Sequence, residues 1–144
     1  MITREWPMYS VVLENLQLLP LLPRFNLKLG FGEKSVEEVC QAHGVNPDFF
    51  LEIANAYLDE LYVPGEGLAL FSLGTMVEYI SATHRYYTDI ALPSVEEKLH
   101  LLLDRSALSS KEVSLITSFF TDYKKDFMDH LSREEVHILP YVLE

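Results

Sequence analysis

Along most of the chain, apolar residues recur every three to four positions, which is the spacing of one face of an α-helix. Residues that begin and end helices are frequent, whereas signals typical of strands are scarce. The first predicted helix runs from Met8 to Leu19 and stops at Pro20 and Pro23, because proline disrupts a continuing helix. The pattern as a whole predicts an all-α fold.

Capping residues predict two short helices in the N-terminal part. Ser35 and Glu38 have the spacing of a capping box. Asn46-Pro47-Asp48 then begins the next helix with an N-cap, a proline in the first turn and an acid near the positive end of the helix dipole. The apolar residues of this second helix have helical spacing and are Phe49, Phe50, Ile53, Ala54 and Tyr57. The pair predicts a small helix–turn–helix-like module.

One segment has the composition of a linker. Pro64-Gly65-Glu66-Gly67 contains a proline and two glycines, the residues that most strongly break helices, so we expect a domain boundary there. The predicted domains are 1–64, a small helical domain, and 68–144, a helical hairpin.

Two long helices are predicted in the C-terminal domain. The first runs from about Ser72 to the region of Pro93 and is expected to continue, with a kink, as far as Leu103. Ser109 or Ser110 caps the second, which runs from Lys111 to about Leu139, and Pro140 ends or kinks it. Because a short turn joins them, the helices are expected to form a long antiparallel pair.

Charge excludes two classes of partner. The 144 residues carry a net charge of −11, and no Lys or Arg lies between Ser35 and His84. The helix–turn–helix-like module therefore lacks the bases that recognise phosphates and base edges, and we expect no direct binding of nucleic acid. Anionic membrane surfaces are disfavoured for the same reason, and no run of 18 apolar residues predicts a membrane span.

Cysteine usage and the N-terminus favour a cytoplasmic protein. Cys40 is the single cysteine, so an intrachain disulfide is excluded, and Glu5 and Glu14 interrupt the apolar run that a signal peptide needs. Helical spacing predicts that Cys40 is a buried apolar residue rather than a nucleophile.

The motifs of common enzyme classes do not occur. The sequence has no G-x-S-x-G, no P-loop and no G-x-G-x-x-G. The adjacent acids Glu134 and Glu135 are expected on different faces of their helix, which does not suit shared acid–base work. An enzymatic function is therefore disfavoured.

A histidine and a glutamate suggest a metal site in the last helix. His130 and Glu134 are four residues apart, so a helix places both on one face, where they can offer nitrogen and oxygen to one metal. Asp126 and His137 extend the same stripe, and His137 is a candidate additional ligand or hydrogen-bonding neighbour. The alternative is a solvated polar face or a structural His–Glu pair.

His84 is the candidate third ligand. It lies mid-helix among apolar and small residues, such as Ile80 and Ala91, and is therefore near the buried stripe. A lone histidine there is usually a core residue with satisfied hydrogen bonds, but beside His130 and Glu134 it becomes a ligand candidate. Tyr87, three residues on, is a further candidate for contact with the site.

The N-terminal part resembles a known family. Phe25–Gly32, the capped helix at Ser35 and Asn46-Pro47-Asp48 are similar to the small N-terminal domain of the iron–sulfur cluster repair di-iron proteins. That family usually carries adjacent cysteines in the turn, where this chain has Gly30 and Phe31. The resemblance therefore implies the fold of that domain without its thiol chemistry.

The C-terminal part resembles the first half of a hemerythrin-like four-helix bundle. The segments that carry the resemblance are Val77–Tyr87, Leu92-Pro93 and His130–Pro140. It implies that His84, His130 and Glu134 are ligands of non-haem iron. It also implies a response to oxygen, nitric oxide or oxidative stress, or a role in repair of iron centres. The family usually has an apolar residue at the position of His137.

The hemerythrin-like bundle has two such halves, whereas this chain carries one. Three ligands cannot hold a di-iron centre, but a homodimer would supply four histidines and two glutamates about a two-fold axis. The alternative is that the chain is a fragment of a longer protein. A second hypothesis for function is a non-enzymatic regulatory or dimerisation domain of a larger regulator, with a vestigial metal site.

Overall fold

The computed structural model describes residues 1–63 and 71–144, and within them the fold is all-helical, with no strand. The α-helices are α1 (Met8–Glu14), α2 (Val36–Ala42), α3 (Pro47–Leu58), α4 (Leu73–Tyr86), α5 (Leu92–Asp104), α6 (Ser110–Arg133) and α7 (Leu139–Leu143). Two 3₁₀ turns, Leu16–Leu18 and Leu22–Phe25, follow α1, and two π-helical segments, Tyr87–Ala91 and Glu134–Ile138, join α4 to α5 and α6 to α7. The predicted all-α class is confirmed. The predicted linker Pro64–Gly67 lies outside the described residues.

The chain divides into two compact units, Met1–Ala82 and Thr83–Glu144, so that α4 contributes to both. The first unit has an apolar core built from α1, α2, α3 and the turns between them. Its fully buried side chains include Phe50, Met8, Leu18, Leu21 and Val11. An edge-to-face aromatic cluster extends this core, with the rings of Phe25 and Phe50 5.2 Å apart.

The first helix is shorter than predicted. The expected helix from Met8 to Leu19 ends at Glu14 and gives way to 3₁₀ turns. The Asn15 side-chain amide donates to the Val11 carbonyl at 2.9 Å, while the Asn15 backbone N–H turns to Val12 at 3.2 Å. Asparagine thus competes for the carbonyl that would have continued the helix.

The predicted helix caps are confirmed. Ser35 Oγ accepts from the Glu38 backbone N–H at 3.2 Å, and a Glu38 carboxylate oxygen accepts from the Ser35 N–H at 2.8 Å. The Asn46 side chain accepts from the Asp48 N–H at 2.9 Å. Ser109 rather than Ser110 is the N-cap of α6. Each cap satisfies backbone donors that would otherwise be unpaired.

Cys40 is a core residue, as its helical spacing predicts. Its side chain is buried in α2, and this burial raises the pKa of the thiol to about 12. Because the thiolate is the reactive form, we expect alkylation by iodoacetamide at pH 8 to be on the order of 1,000-fold slower in the native chain than in the urea-unfolded chain. Mass spectrometry of timed samples measures both rates, and equal rates would show that the thiol is accessible.

The second unit is an antiparallel helical hairpin. One arm is the end of α4 followed by α5, and the other is α6 followed by α7. Lys124 Nζ in α6 forms a salt bridge with Glu96 in α5 at 2.6 Å, and the Tyr87 and Phe127 rings pack edge to face at 5.8 Å. None of the helices in residues 1–63 and 71–144 combines the length and the apolar character that crossing a bilayer requires.

Both arms contain a π-helical turn just before a Leu-Pro pair. Pro93 and Pro140 are the second residues of α5 and α7, directly after the π segments. A proline within a helix lacks an N–H and its ring collides with the carbonyl four residues earlier. The wider π turn is a way to accommodate this ring while the helix continues. Each helix therefore continues beyond its proline, through a π segment that directly precedes the Leu-Pro pair.

Candidate metal centre

The structure brings the three predicted ligands, His84, His130 and Glu134, together. One carboxylate oxygen of Glu134, Oε2, lies 3.2 Å from His84 Nε2, and the other, Oε1, lies 3.2 Å from His130 Nε2. His130 and Glu134 meet because they are one helical turn apart. His84 arrives from the opposite arm of the hairpin. The carboxylate therefore stands between two imidazoles.

A fourth residue joins this cluster. Glu135 Oε1 lies 2.7 Å from His84 Nδ1, and since a carboxylate can only accept, the imidazole donates from Nδ1. The expectation that Glu134 and Glu135 point to different faces was wrong, because both contact His84. The physical reason is that neighbouring residues of a helix are only about 100° apart, so two long glutamate side chains can both reach a histidine that lies between them.

Sequence reasoning did not identify Glu135 as part of the site. The signal that was available is its position directly after Glu134. The contact with His84 depends on how the two arms of the hairpin pack, so a count of helical spacing along one helix misses it.

Burial decreases across the cluster. The His84 side chain is 11% exposed, that of Glu134 28% and that of His130 56%. His84 is thus enclosed within the hairpin, whereas His130 reaches the surface. The carboxylate of Glu134 connects the enclosed imidazole to the exposed one.

The arrangement supplies two pairs of donors rather than one closed set. His84 Nε2 pairs with one oxygen of Glu134, and His130 Nε2 pairs with the other. Within residues 1–63 and 71–144, no group of three or more His, Cys, Asp and Glu side chains is arranged so that it could hold a metal ion. The residue types suit iron, but one copy of the chain does not complete the coordination.

The remaining candidate residues lie around the cluster. Asp126 and His137 are exposed, and Asp126 borders a shallow surface depression with Asp129 and Arg133. Tyr87 is half-buried against Phe127. The contacts that define the cluster are those of His84, His130 and the two glutamates.

The turn that resembles the cysteine-bearing turn of the repair family is built without a thiol. Gly30 and Gly32 adopt positive φ angles of 103° and 60°, and Phe31 between them is buried in the core of the first unit. Positive φ is the conformation that glycine adopts at no steric cost. This turn therefore contributes an apolar anchor to the core.

Searches with the sequence and the structure found no matching protein-family model, no matching curated protein and no matching solved structure.

Proposed function

We propose that the hairpin binds a metal ion, iron in the first place, through His84, His130 and Glu134, in the manner of the hemerythrin-like domains that its sequence resembles. The observation that carries the proposal is the position of Glu134, with one carboxylate oxygen 3.2 Å from each imidazole. Helix-bundle iron sites use carboxylates and imidazoles that project inward from facing helices.

The donor separations support this reading. Two ligands that each lie about 2.1 Å from one ion, at roughly 90–110° to each other, are about 3.0–3.4 Å apart. The separation of 3.2 Å between Glu134 Oε2 and His84 Nε2, and between Glu134 Oε1 and His130 Nε2, falls within that range. A carboxylate with a different imidazole at each oxygen is suited to bridge two ions.

The contact between Glu135 and His84 supports the same proposal. Histidines that bind metals usually donate their other ring N–H to a carboxylate or carbonyl, which sets the tautomer and the direction of the ring. Glu135 accepts from His84 Nδ1 at 2.7 Å, and Nε2 is the nitrogen directed at Glu134. With Nδ1 held by Glu135, Nε2 is the ring nitrogen that would bind a metal placed between His84 and Glu134.

The role we propose for the site is a response to oxygen, nitric oxide or oxidative stress, or repair of iron centres, as the resemblance implies. The exposed imidazole of His130 would leave a diatomic ligand a short route from solvent. The single buried cysteine suits a reducing cytoplasmic location, which we include in the proposal.

A second candidate function is a non-enzymatic regulatory or dimerisation domain with a vestigial site. The described parts of the chain contain no group of three or more side chains arranged to hold a metal ion, and this favours a vestigial site. The ion pairs of His84 with Glu134 and Glu135 can join the two arms of the hairpin without a metal. On this reading the cluster stabilises the hairpin and nothing more.

Metal analysis distinguishes the two functions. We expect the full chain, purified after expression with added iron, to contain about one iron per chain, which is the share of each half in a di-iron bundle. His130→Ala is expected to lose most of this iron because it removes a nitrogen donor. His100→Ala is the matched control, since it removes an exposed imidazole elsewhere in the hairpin. Elemental analysis by mass spectrometry provides the measurement.

An iron-free wild-type chain whose thermal unfolding does not respond to added iron would contradict metal binding. If the wild type binds no iron and His130→Ala is still folded, the regulatory function is favoured.

A further inference from the structure

One side of the hairpin exposes a continuous set of large apolar side chains, which we call the hairpin face. Its members are Val95, Leu102, Leu115, Phe119 and Tyr123. Leu115, Phe119 and Tyr123 are spaced by four residues along α6, so they form a single row. Val95 and Leu102 are seven residues apart on α5 and form a second row.

The two rows lie on the same side of the hairpin. Val95 comes one residue before Glu96, and Tyr123 one residue before Lys124. Glu96 and Lys124 pair at 2.6 Å, so both face the neighbouring helix. In an antiparallel pair of right-handed helices, the residue directly before an inward-facing residue lies on the same side of the pair in both helices. The rows therefore combine into one apolar surface.

The hairpin face is large enough to support association. Its five side chains are each between 50% and 72% exposed. At roughly 150–250 Å² for each aromatic side chain, Phe119 and Tyr123 leave on the order of 250 Å² in contact with water, and the three aliphatic side chains add to this area. A standard protein–protein interface buries about 800 Å² on each partner. The five residues would therefore supply a substantial part of one half of such an interface.

The same row leads to the unfinished donor set. His130 lies seven residues after Tyr123, on the same side of α6, and its imidazole is 56% exposed. An occupant of the hairpin face would therefore also cover His130. A partner that binds this face must offer an apolar helical surface, with nitrogen and oxygen donors at one end. A second copy of the same hairpin has such a surface and such donors.

We infer that a second copy of this chain packs on the hairpin face about a two-fold axis and supplies the donors that the cluster around Glu134 lacks. The inference rests on the proposed metal function and names the partner of that site. An isologous contact is self-complementary, so each copy buries its own apolar row and contributes to the other's coordination. The incomplete donor set of each chain, open to water at His130, thereby becomes part of an enclosed set from two chains.

The test uses the full chain with two charge-introducing variants. Phe119→Glu places a carboxylate at the centre of the face, and Leu115→Glu repeats the change one turn away. Leu101→Glu is the matched control, because Leu101 is exposed on α5 and turned away from α6. Light scattering coupled to size exclusion gives the mass, iron(II) titration gives the metal content, and far-UV circular dichroism confirms that each variant is helical.

We expect the wild type and Leu101→Glu to have twice the 16.6 kDa mass of one chain and to bind iron. Phe119→Glu and Leu115→Glu are expected to be monomeric and to lose more iron affinity than the roughly 10–100-fold that removal of an orienting residue costs. A helical Phe119→Glu variant that stays dimeric would overturn the interface.

The remaining outcomes separate this inference from the proposed function. A monomeric wild-type chain that binds iron would overturn the second copy as partner and leave the metal function standing. A metal-free dimer that both face variants dissociate would support the interface and overturn the metal centre.

Discussion

Glu134→Ala is expected to abolish iron binding, with a larger effect than loss of either histidine alone. Glu134 is the residue that contacts both imidazoles, at 3.2 Å in each case, so its removal takes an oxygen donor from both donor pairs. We expect the affinity for iron(II) to fall by more than the roughly 10–100-fold typical of residues that only orient a ligand. Anaerobic titration monitored by calorimetry measures this loss directly.

Glu135→Ala is the comparison for that experiment. Glu135 contacts His84 through Nδ1, away from the proposed metal position, so we expect an affinity loss of about 10–100-fold with binding retained. Both variants should remain helical, since each leaves one carboxylate against His84. Equal losses in the two variants would contradict the assignment of Glu134 as ligand and Glu135 as its orienting neighbour.

Phe50→Ala is expected to destabilise the first unit by about 3–5 kcal/mol, the usual cost of removing a buried aromatic side chain. Phe50 is fully buried in α3 and packs edge to face against Phe25 at 5.2 Å, so alanine leaves a cavity and removes an aromatic contact. Small domains have only about 5–15 kcal/mol of net stability, so much of the unit's stability would be lost.

The single tryptophan makes this effect measurable. Trp6 lies in the first unit, so its fluorescence during urea unfolding reports on that unit and not on the hairpin. Leu13→Ala is the control, because Leu13 is exposed in the same unit and should change the midpoint little. A Phe50→Ala midpoint equal to that of Leu13→Ala would show that the core does not depend on this ring.

Local features were predicted well from the sequence because they depend on neighbouring residues. The caps at Ser35, Asn46 and Ser109 follow from side chains that reach backbone N–H groups two or three residues on. The His130–Glu134 contact is equally local, since one helical turn places the two side chains together. The early end of α1 was missed because a competing hydrogen bond from Asn15 has no clear periodic signal.

The sequence by itself determined the all-helical class, the caps and the His130–Glu134 pair, because each results from interactions within about one helical turn. Only the tertiary structure decided that His84 reaches Glu134 from the other arm, a contact between residues 50 positions apart that requires the packed hairpin. It also decided that Glu135 joins them, since the packed hairpin places His84 within reach of both carboxylates. The exposure of the hairpin face was likewise decided there, because burial depends on which surfaces of the helices meet.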